Sequence, residues 1–168
     1  TNLLGEHNVQ NLTAVLSILD DLGYKIKKSH ILSFRGTKRR MNILGKLKKT
    51  IFIDDYAHHP TEIEKLINVI SLYKNKNICL IIEPHRYSRL NDLYGEYLSI
   101  LKNVKNLIIL KTYEAGENYK KGMKNSKNLV NDLNVLNNQK TNYVDNYNDL
   151  FSLLDQFVTN KRESLSLI

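Results

Sequence analysis

The sequence predicts an α/β domain built on a mostly parallel sheet with helices on both faces. Short apolar runs at 51–53, 78–82 and 107–110 (Ile-Phe-Ile, Ile-Cys-Leu-Ile-Ile and Leu-Ile-Ile-Leu) have the length and composition of buried strands. Between them, Ile63, Leu66, Ile67, Ile70 and Tyr73, and then Leu90, Leu93, Tyr94, Tyr97, Leu98 and Leu101, recur at helical spacing. Strands that alternate with helices run parallel, because each helix carries the chain back to the edge where the next strand begins. Each apolar run is also followed at once by a dense polar cluster, and in an open parallel sheet that is where ligands bind.

The elements follow in chain order. His7 to Leu22 is expected to be a helix, since Val9, Leu12, Leu16 and Leu19 share one face and Gly23 supplies a C-terminal stop. A shorter apolar pattern runs through Ile26, Ile31, Leu32 and Phe34. The basic segment 35–40 (Arg-Gly-Thr-Lys-Arg-Arg) marks a boundary between a helical tail, residues 1–35, and a main domain, residues 36–168. Met41–Leu44 and Thr50–Ile53 read as a hairpin joined through Gly45 and the lysines after it. Beyond the third apolar run, helices are expected across Ser126–Leu136 and near Tyr147–Val158, with Leu165–Ile168 as a last strand. The main domain is therefore of Rossmann-like type.

Composition narrows the class. With 168 residues, 42% of them hydrophobic, the chain suffices for one compact domain with an arm. No apolar run approaches the ~18 residues of a membrane span, and residues 1–6 lack the blocks of a signal peptide, so no membrane partner is expected. The single cysteine, Cys79, sits within an apolar run and reads as core packing. No internal disulfide is possible, which points to the reducing cytoplasm. The net charge of +8 is scattered over lysines interleaved with asparagines, as in Lys74-Asn75-Lys76-Asn77. A solvated basic face is favoured over a nucleic-acid surface. Oligomeric state has no signature in the sequence.

The chemistry concentrates in three clusters. The first is Asp54-Asp55-Tyr56-Ala57-His58-His59-Pro60-Thr61-Glu62. Pro60 suits a first helical turn, and Thr61 and Glu64 have capping-box spacing. Asp55 reads either as a cap or as a ligand-binding carboxylate. In an extended segment Tyr56 and His58 share a side and His59 faces away. The second cluster, Glu83-Pro84-His85-Arg86-Tyr87-Ser88-Arg89, places Arg86 and Arg89 three apart at a helix start. There two guanidiniums can hold one carboxylate or phosphate, the alternative being ion pairs with Asp92 or Glu96. The third cluster is Tyr113-Glu114-Ala115-Gly116-Glu117.

Taken together, these segments resemble the Mur ligase family, and within it the C-terminal part of the branch that adds L-alanine to UDP-N-acetylmuramate in peptidoglycan synthesis. Four motifs carry the resemblance in order: Gly5-Glu6-His7-Asn8-Val9-Gln10-Asn11, Phe34-Arg35-Gly36-Thr37-Lys38-Arg39-Arg40, the Asp54 cluster followed by the Pro84 one as a single motif, and the loop with Tyr113, Ala115, Gly116 and Glu117. The resemblance implies an ATP-dependent ligase. ATP phosphorylates the lactyl carboxylate, the amine of L-alanine attacks the acyl phosphate, and phosphate leaves.

The family pattern places His7, Asn8 and Asn11 near adenine, Asp55 at the ribose and Arg40 at the terminal phosphates. It places Tyr56, His58, Arg86 and Arg89 around the alanine, with His85 at the reacting centre. Magnesium would accompany ATP on ligands mostly outside these residues, so no metal site is expected here. Residues 1–35 would close the central ATPase domain and 36–168 form the C-terminal domain. The 168 residues contain no glycine-rich phosphate loop, so the chain reads as a fragment, inactive alone. Met41, Asn42 and Leu90 depart from the family pattern. Two other classes fit parts of the sequence: a metal-dependent phosphoesterase using Asp54, Asp55, His58 and His59, and a non-catalytic nucleotide- or nucleic-acid-binding module.

Overall fold

Two helices open the chain, α1 (Glu6–Asp21) and the short α2 (Lys28–Ser33). The computed structural model describes residues 5–34, 36–72, 77–137, 140–160 and 164–167; Arg35, Tyr73 and Ile168, and the side chain of His7, lie outside the description. α1 leaves Val9, Val15 and Ile18 exposed, and Leu22 at its C-cap is exposed as well.

A hairpin follows, β1 (Asn42–Leu47) antiparallel to β2 (Thr50–Asp54). Gly45 was expected in its turn. Instead the two-residue turn is Lys48-Lys49, with Lys48 at φ 53, and Gly45 lies within β1 where the register slips between Ile43 and Gly45. A strand glycine commonly marks such a bulge.

From β2 the chain alternates strand and helix as expected, with β5 as an unforeseen strand: α3 (Pro60–Ser71), β3 (Asn77–Ile82), α4 (Tyr87–Asp92), α5 (Tyr94–Leu101), β4 (Leu107–Leu110), α6 (Ser126–Asn137), β5 (Asn142–Val144), α7 (Tyr147–Asn160) and β6 (Ser164–Leu167). One continuous helix was expected through Leu90–Leu101, but it is broken at Leu93, which ends α4 and caps α5. The strand order is β1-β2-β6-β3-β4-β5, with every pairing parallel except β1 with β2.

The two faces differ. Ile63, Leu66 and Ile70 of α3, Leu90 of α4, Tyr97 and Leu101 of α5, and Leu129, Val130 and Leu133 of α6 pack on one face, against Ile53, Leu80, Ile82, Leu107 and Ile109. On the other, Leu150 and Leu154 of α7 cover Cys79, Ile81, Ile108, Leu110 and Val144. Alternate residues of β3 and β4 serve opposite faces, as the strand's two-residue period requires. Each fully buried aliphatic side chain contributes about 1.5–3 kcal/mol. Cys79 is buried among them, and burial pushes its thiol up to about 12, so it packs rather than reacts.

Candidate active site

The carboxyl ends of β2, β3 and β4 bring the three polar clusters together. At the end of β2, Pro60 takes the first helical position, which makes His59 the N-cap and Glu62 its capping partner. The box is therefore His59–Glu62, two residues earlier than the Thr61–Glu64 pair suggested by spacing. Glu62 Oε2 accepts from the backbone N–H of both His58 and His59 at 3.2 Å. Burial works upward on the Glu62 carboxyl, but those two N–H groups and the charges of His58 and Arg40 leave it below the ordinary carboxylate value. His59 turns its Nδ1 to Thr61.

Asp55 ties this loop to the hairpin entry. Its Oδ2 accepts from Met41 N and its Oδ1 from Ala57 N, both at 2.9 Å, while Tyr56 N donates to Arg39 O at 2.9 Å. Arg39 and Met41 both sit at positive φ, 56° and 51°. This unusual backbone sends the two arginines different ways. Arg40 reaches Glu62, at 3.9 Å, whereas Arg39 lies 3.7 Å from Asp54 and stacks its guanidinium 4.7 Å over the Tyr56 ring.

Tyr56, His58, His85 and Tyr113 form one aromatic wall. Ring centroids lie 4.9 Å apart for Tyr56–His58, 5.9 Å for Tyr56–His85, 4.8 Å for the stacked His58–His85 pair and 5.1 Å for His85–Tyr113. The His58 ring is oriented by the carbonyl of Tyr56, at 2.9 Å from its Nδ1. His85 pairs its backbone with Tyr113, and its Nε2 stands 3.7 Å from Glu83 Oε2, too far for a hydrogen bond. Burial, and then the charges of His58, Arg89 and Arg39, hold His85 below the ordinary histidine value of 6.5. Burial pushes Glu83 above the ordinary carboxylate value, against the pull of Arg39. At neutral pH the imidazole of His85 is thus uncharged and able to take up a proton.

Arg86 and Arg89 stand where the sequence put them, at the start of α4. Arg86 is the N-cap, however, at φ 69, so the pair does not share regular helical geometry. Arg86 is exposed, with its charge near Glu117, while the half-buried Arg89 acts electrostatically on His85 and Tyr97. Among the described residues neither is paired with Asp92 or Glu96. Asn8 and Asn11 lie on α1, which meets the second half of α3: a cleft of about 240 Å³ opens there between Gly5, Glu6, Gln10, Lys65, Asn68 and Leu72. That element stands apart from the strand-end cluster.

Two residues lie in segments the sequence singled out but have roles it did not assign: Arg39, which shares the aromatic wall, and Glu117, which caps α4. Beyond β4 and β5 a further cavity of about 510 Å³ opens among Glu83, Tyr113, Glu114, Asp145 and Tyr147. There α6 and α7 leave for opposite faces, a position at which open sheets form crevices. Among the described residues, no group of three or more His, Cys, Asp or Glu side chains is arranged to hold a metal ion. No helix among them is long and apolar enough to cross a membrane.

The state of His85 has a pH consequence. Between its depressed folded value and the ordinary one, the unfolded chain binds more protons, so this group's contribution to stability is lost as pH falls through that window. In an NMR titration His85 should titrate below the ordinary histidine value, and Arg39→Ala should move it upward. A fall, or no change, would show that Arg39 does not act on this ring.

Residues 39–162 match the family model for the Mur ligase, glutamate ligase domain. The UDP-N-acetylmuramate–L-alanine ligase of Pelagibacter ubique is 42% identical over 125 residues, 73% of this chain and 27% of that protein. The enzyme of the same name from Wigglesworthia glossinidia brevipalpis is 34% identical over 174 residues, 95% of this chain and 36% of that protein. The crystal structure of UDP-N-acetylmuramate–alanine ligase from Thermotoga maritima superposes with a TM-score of 0.73 at 24% identity, covering 98% of this chain and 34% of that one. The chain thus spans between a quarter and about a third of the length of these relatives. The matched segment takes in all three strand-end clusters and nearly the whole sheet, and the chain belongs to the Mur ligase family.

Proposed function

We propose that the protein carrying this chain joins L-alanine to the carboxylate of UDP-N-acetylmuramate, in the cytoplasm, with ATP as the activating reagent. The observation that carries the reading is the match to UDP-N-acetylmuramate–L-alanine ligases at 34–42% identity over most of the chain. In this reading residues 1–35 end the central ATPase domain and 36–168 form the C-terminal domain. The exposed apolar side chains Val9, Val15 and Ile18 of α1 and Leu22 at its C-cap support that division, since they await a covering surface.

ATP supplies the phosphoryl group that turns the carboxylate into an acyl phosphate. Arg40 and Asp55 remain the residues proposed for its phosphates and ribose, with His7, Asn8 and Asn11 for its adenine. Arg40 is half-exposed, so it is open to an anion, and each Asp55 oxygen accepts one N–H and keeps a lone pair for a hydroxyl. Among the described residues no group of three or more His, Cys, Asp or Glu side chains is arranged to hold magnesium, which would accompany the phosphates of ATP on ligands mostly outside this chain.

The chain's own residues do the rest. Arg86 and Arg89 hold the alanine carboxylate. Tyr56 and His58 wall the site and limit water. As the amine nitrogen bonds the acyl carbon and the carbon–oxygen bond to phosphate breaks, the nitrogen sheds a proton; in this reading neutral His85 receives it. Positioning of this kind supplies much of the acceleration in phosphoryl and acyl transfer.

The test is phosphate release by the full-length protein given ATP, UDP-N-acetylmuramate and one amino acid or peptide at a time. Release should depend on L-alanine. Preference for a preformed peptide would overturn the assignment in favour of a murein peptide ligase, a solved example of which shares this fold at a TM-score of 0.64. The chain alone, with no glycine-rich phosphate loop in its 168 residues, should release none.

A further inference from the structure

We propose that Glu117 is a positioning residue for Arg86: its carboxylate caps α4 from the neighbouring loop and fixes where that arginine points. The inference rests on the alanine-adding reading above and deepens it. α4 starts badly on its own terms. Its N-cap is Arg86, whose side chain makes no capping hydrogen bond and whose φ of 69° is sparsely populated for an L-residue. The N–H groups of the first turn therefore need an acceptor from elsewhere.

Glu117 supplies it. One carboxylate oxygen accepts from Ser88 N at 3.0 Å and the other from Ser88 Oγ at 2.6 Å, and Tyr87 N–H also acts on it. The Ser88 hydroxyl and N–H, foremost, hold the Glu117 carboxyl below its ordinary value, with Arg86 adding to the effect. The loop is shaped to deliver this group: Ala115 and Gly116 take φ 49° and 83°, and Glu117 N closes the turn on Glu114 O at 2.9 Å. Arg86 N→Tyr113 O at 2.8 Å and Tyr113 N→Pro84 O at 2.9 Å zip the two loops together. Glu117 thus holds Arg86 through the first turn of α4. Without it the turn frays, the residue relaxes to negative φ, and the guanidinium swings away.

Two measurements test this. In the full-length protein, Glu117→Ala should raise the KM for L-alanine about tenfold, with the KM for ATP within about twofold of wild type. Glu117→Gln, which keeps an acceptor oxygen, should fall between. In an Arg86→Ala background, Glu117→Ala should add nothing further to the alanine KM. A purely structural cap predicts equal losses for all substrates, additive to Arg86→Ala, and would overturn the proposal. Independently, the Arg86 backbone carbon shifts of the chain itself should lose their left-handed signature in Glu117→Ala. Unchanged shifts would overturn it as well. A wild-type protein that ignores L-alanine would count against the functional reading alone, and the shifts would then decide the role of Glu117.

Discussion

Tyr97→Ala is expected to bring this domain close to unfolding, while Tyr97→Phe should leave it folded with a loosened site. The ring of Tyr97 is fully buried in the larger core cluster, between the sheet and helices α3 and α6. Its hydroxyl donates to the carbonyl of His58 at 2.5 Å. Burial, more than the charges around it, pushes its phenol up to about 12, so it remains a donor at any working pH. One side chain therefore fastens the site loop to the core. Removing the ring leaves a large cavity and an unpaired carbonyl, a loss of about 3–5 kcal/mol against a typical domain stability of ~5–15. For a domain of this size that lowers Tm by roughly 6–20 °C. Tyr97→Phe removes only the donor and should cost about 1–3 kcal/mol. Urea unfolding measures both. Near-equal losses would mean that the hydrogen bond, not the packing, dominates.

The same residue shows what the sequence made legible. Tyr97 and Leu101 announced a buried helical face by spacing alone, and the clusters after β2, β3 and β4 marked the site because a parallel sheet gathers its strand ends. What stayed hidden depends on long-range closure. A last strand was expected over Leu165–Ile168; the strand found, Ser164–Leu167, fills the slot between β2 and β3 in the middle of the sheet. Nothing local tells a central strand of four residues from an edge. β5, three residues in an asparagine-rich stretch, offered too short a pattern to register.

The break at Leu93 was masked by an apolar periodicity that runs straight through it. The place of Arg39 beside the aromatic wall is set by positive φ at Arg39 and Met41. Residues other than glycine do not advertise that conformation. Glu117 was noticed as part of a loop, but its function as a cap joins residues 29 apart, which no capping-box spacing can reveal.

Arg86→Lys and Arg89→Lys, in the full-length protein, should each raise the KM for L-alanine about tenfold or more while changing the KM for ATP much less. A charge-assisted hydrogen bond contributes about 1.5–3 kcal/mol, or one to two decades in affinity. Lysine keeps the charge but loses the planar fork that fits a carboxylate. If both guanidiniums grip one carboxylate, the double change should be less than additive. The geometry adds a control. Arg89 lowers the proton affinity of His85, so Arg89→Ala should move the His85 titration upward, whereas Arg89→Lys, with its charge retained, should move it little. Loss of alanine affinity without that movement isolates the fork from the field. Surface arginines with no ligand would behave otherwise, with KM values for all three substrates rising together as Tm falls. That pattern would remove the alanine clamp from Arg86 and Arg89 and leave the aromatic wall with Arg39 as the next place to seek it.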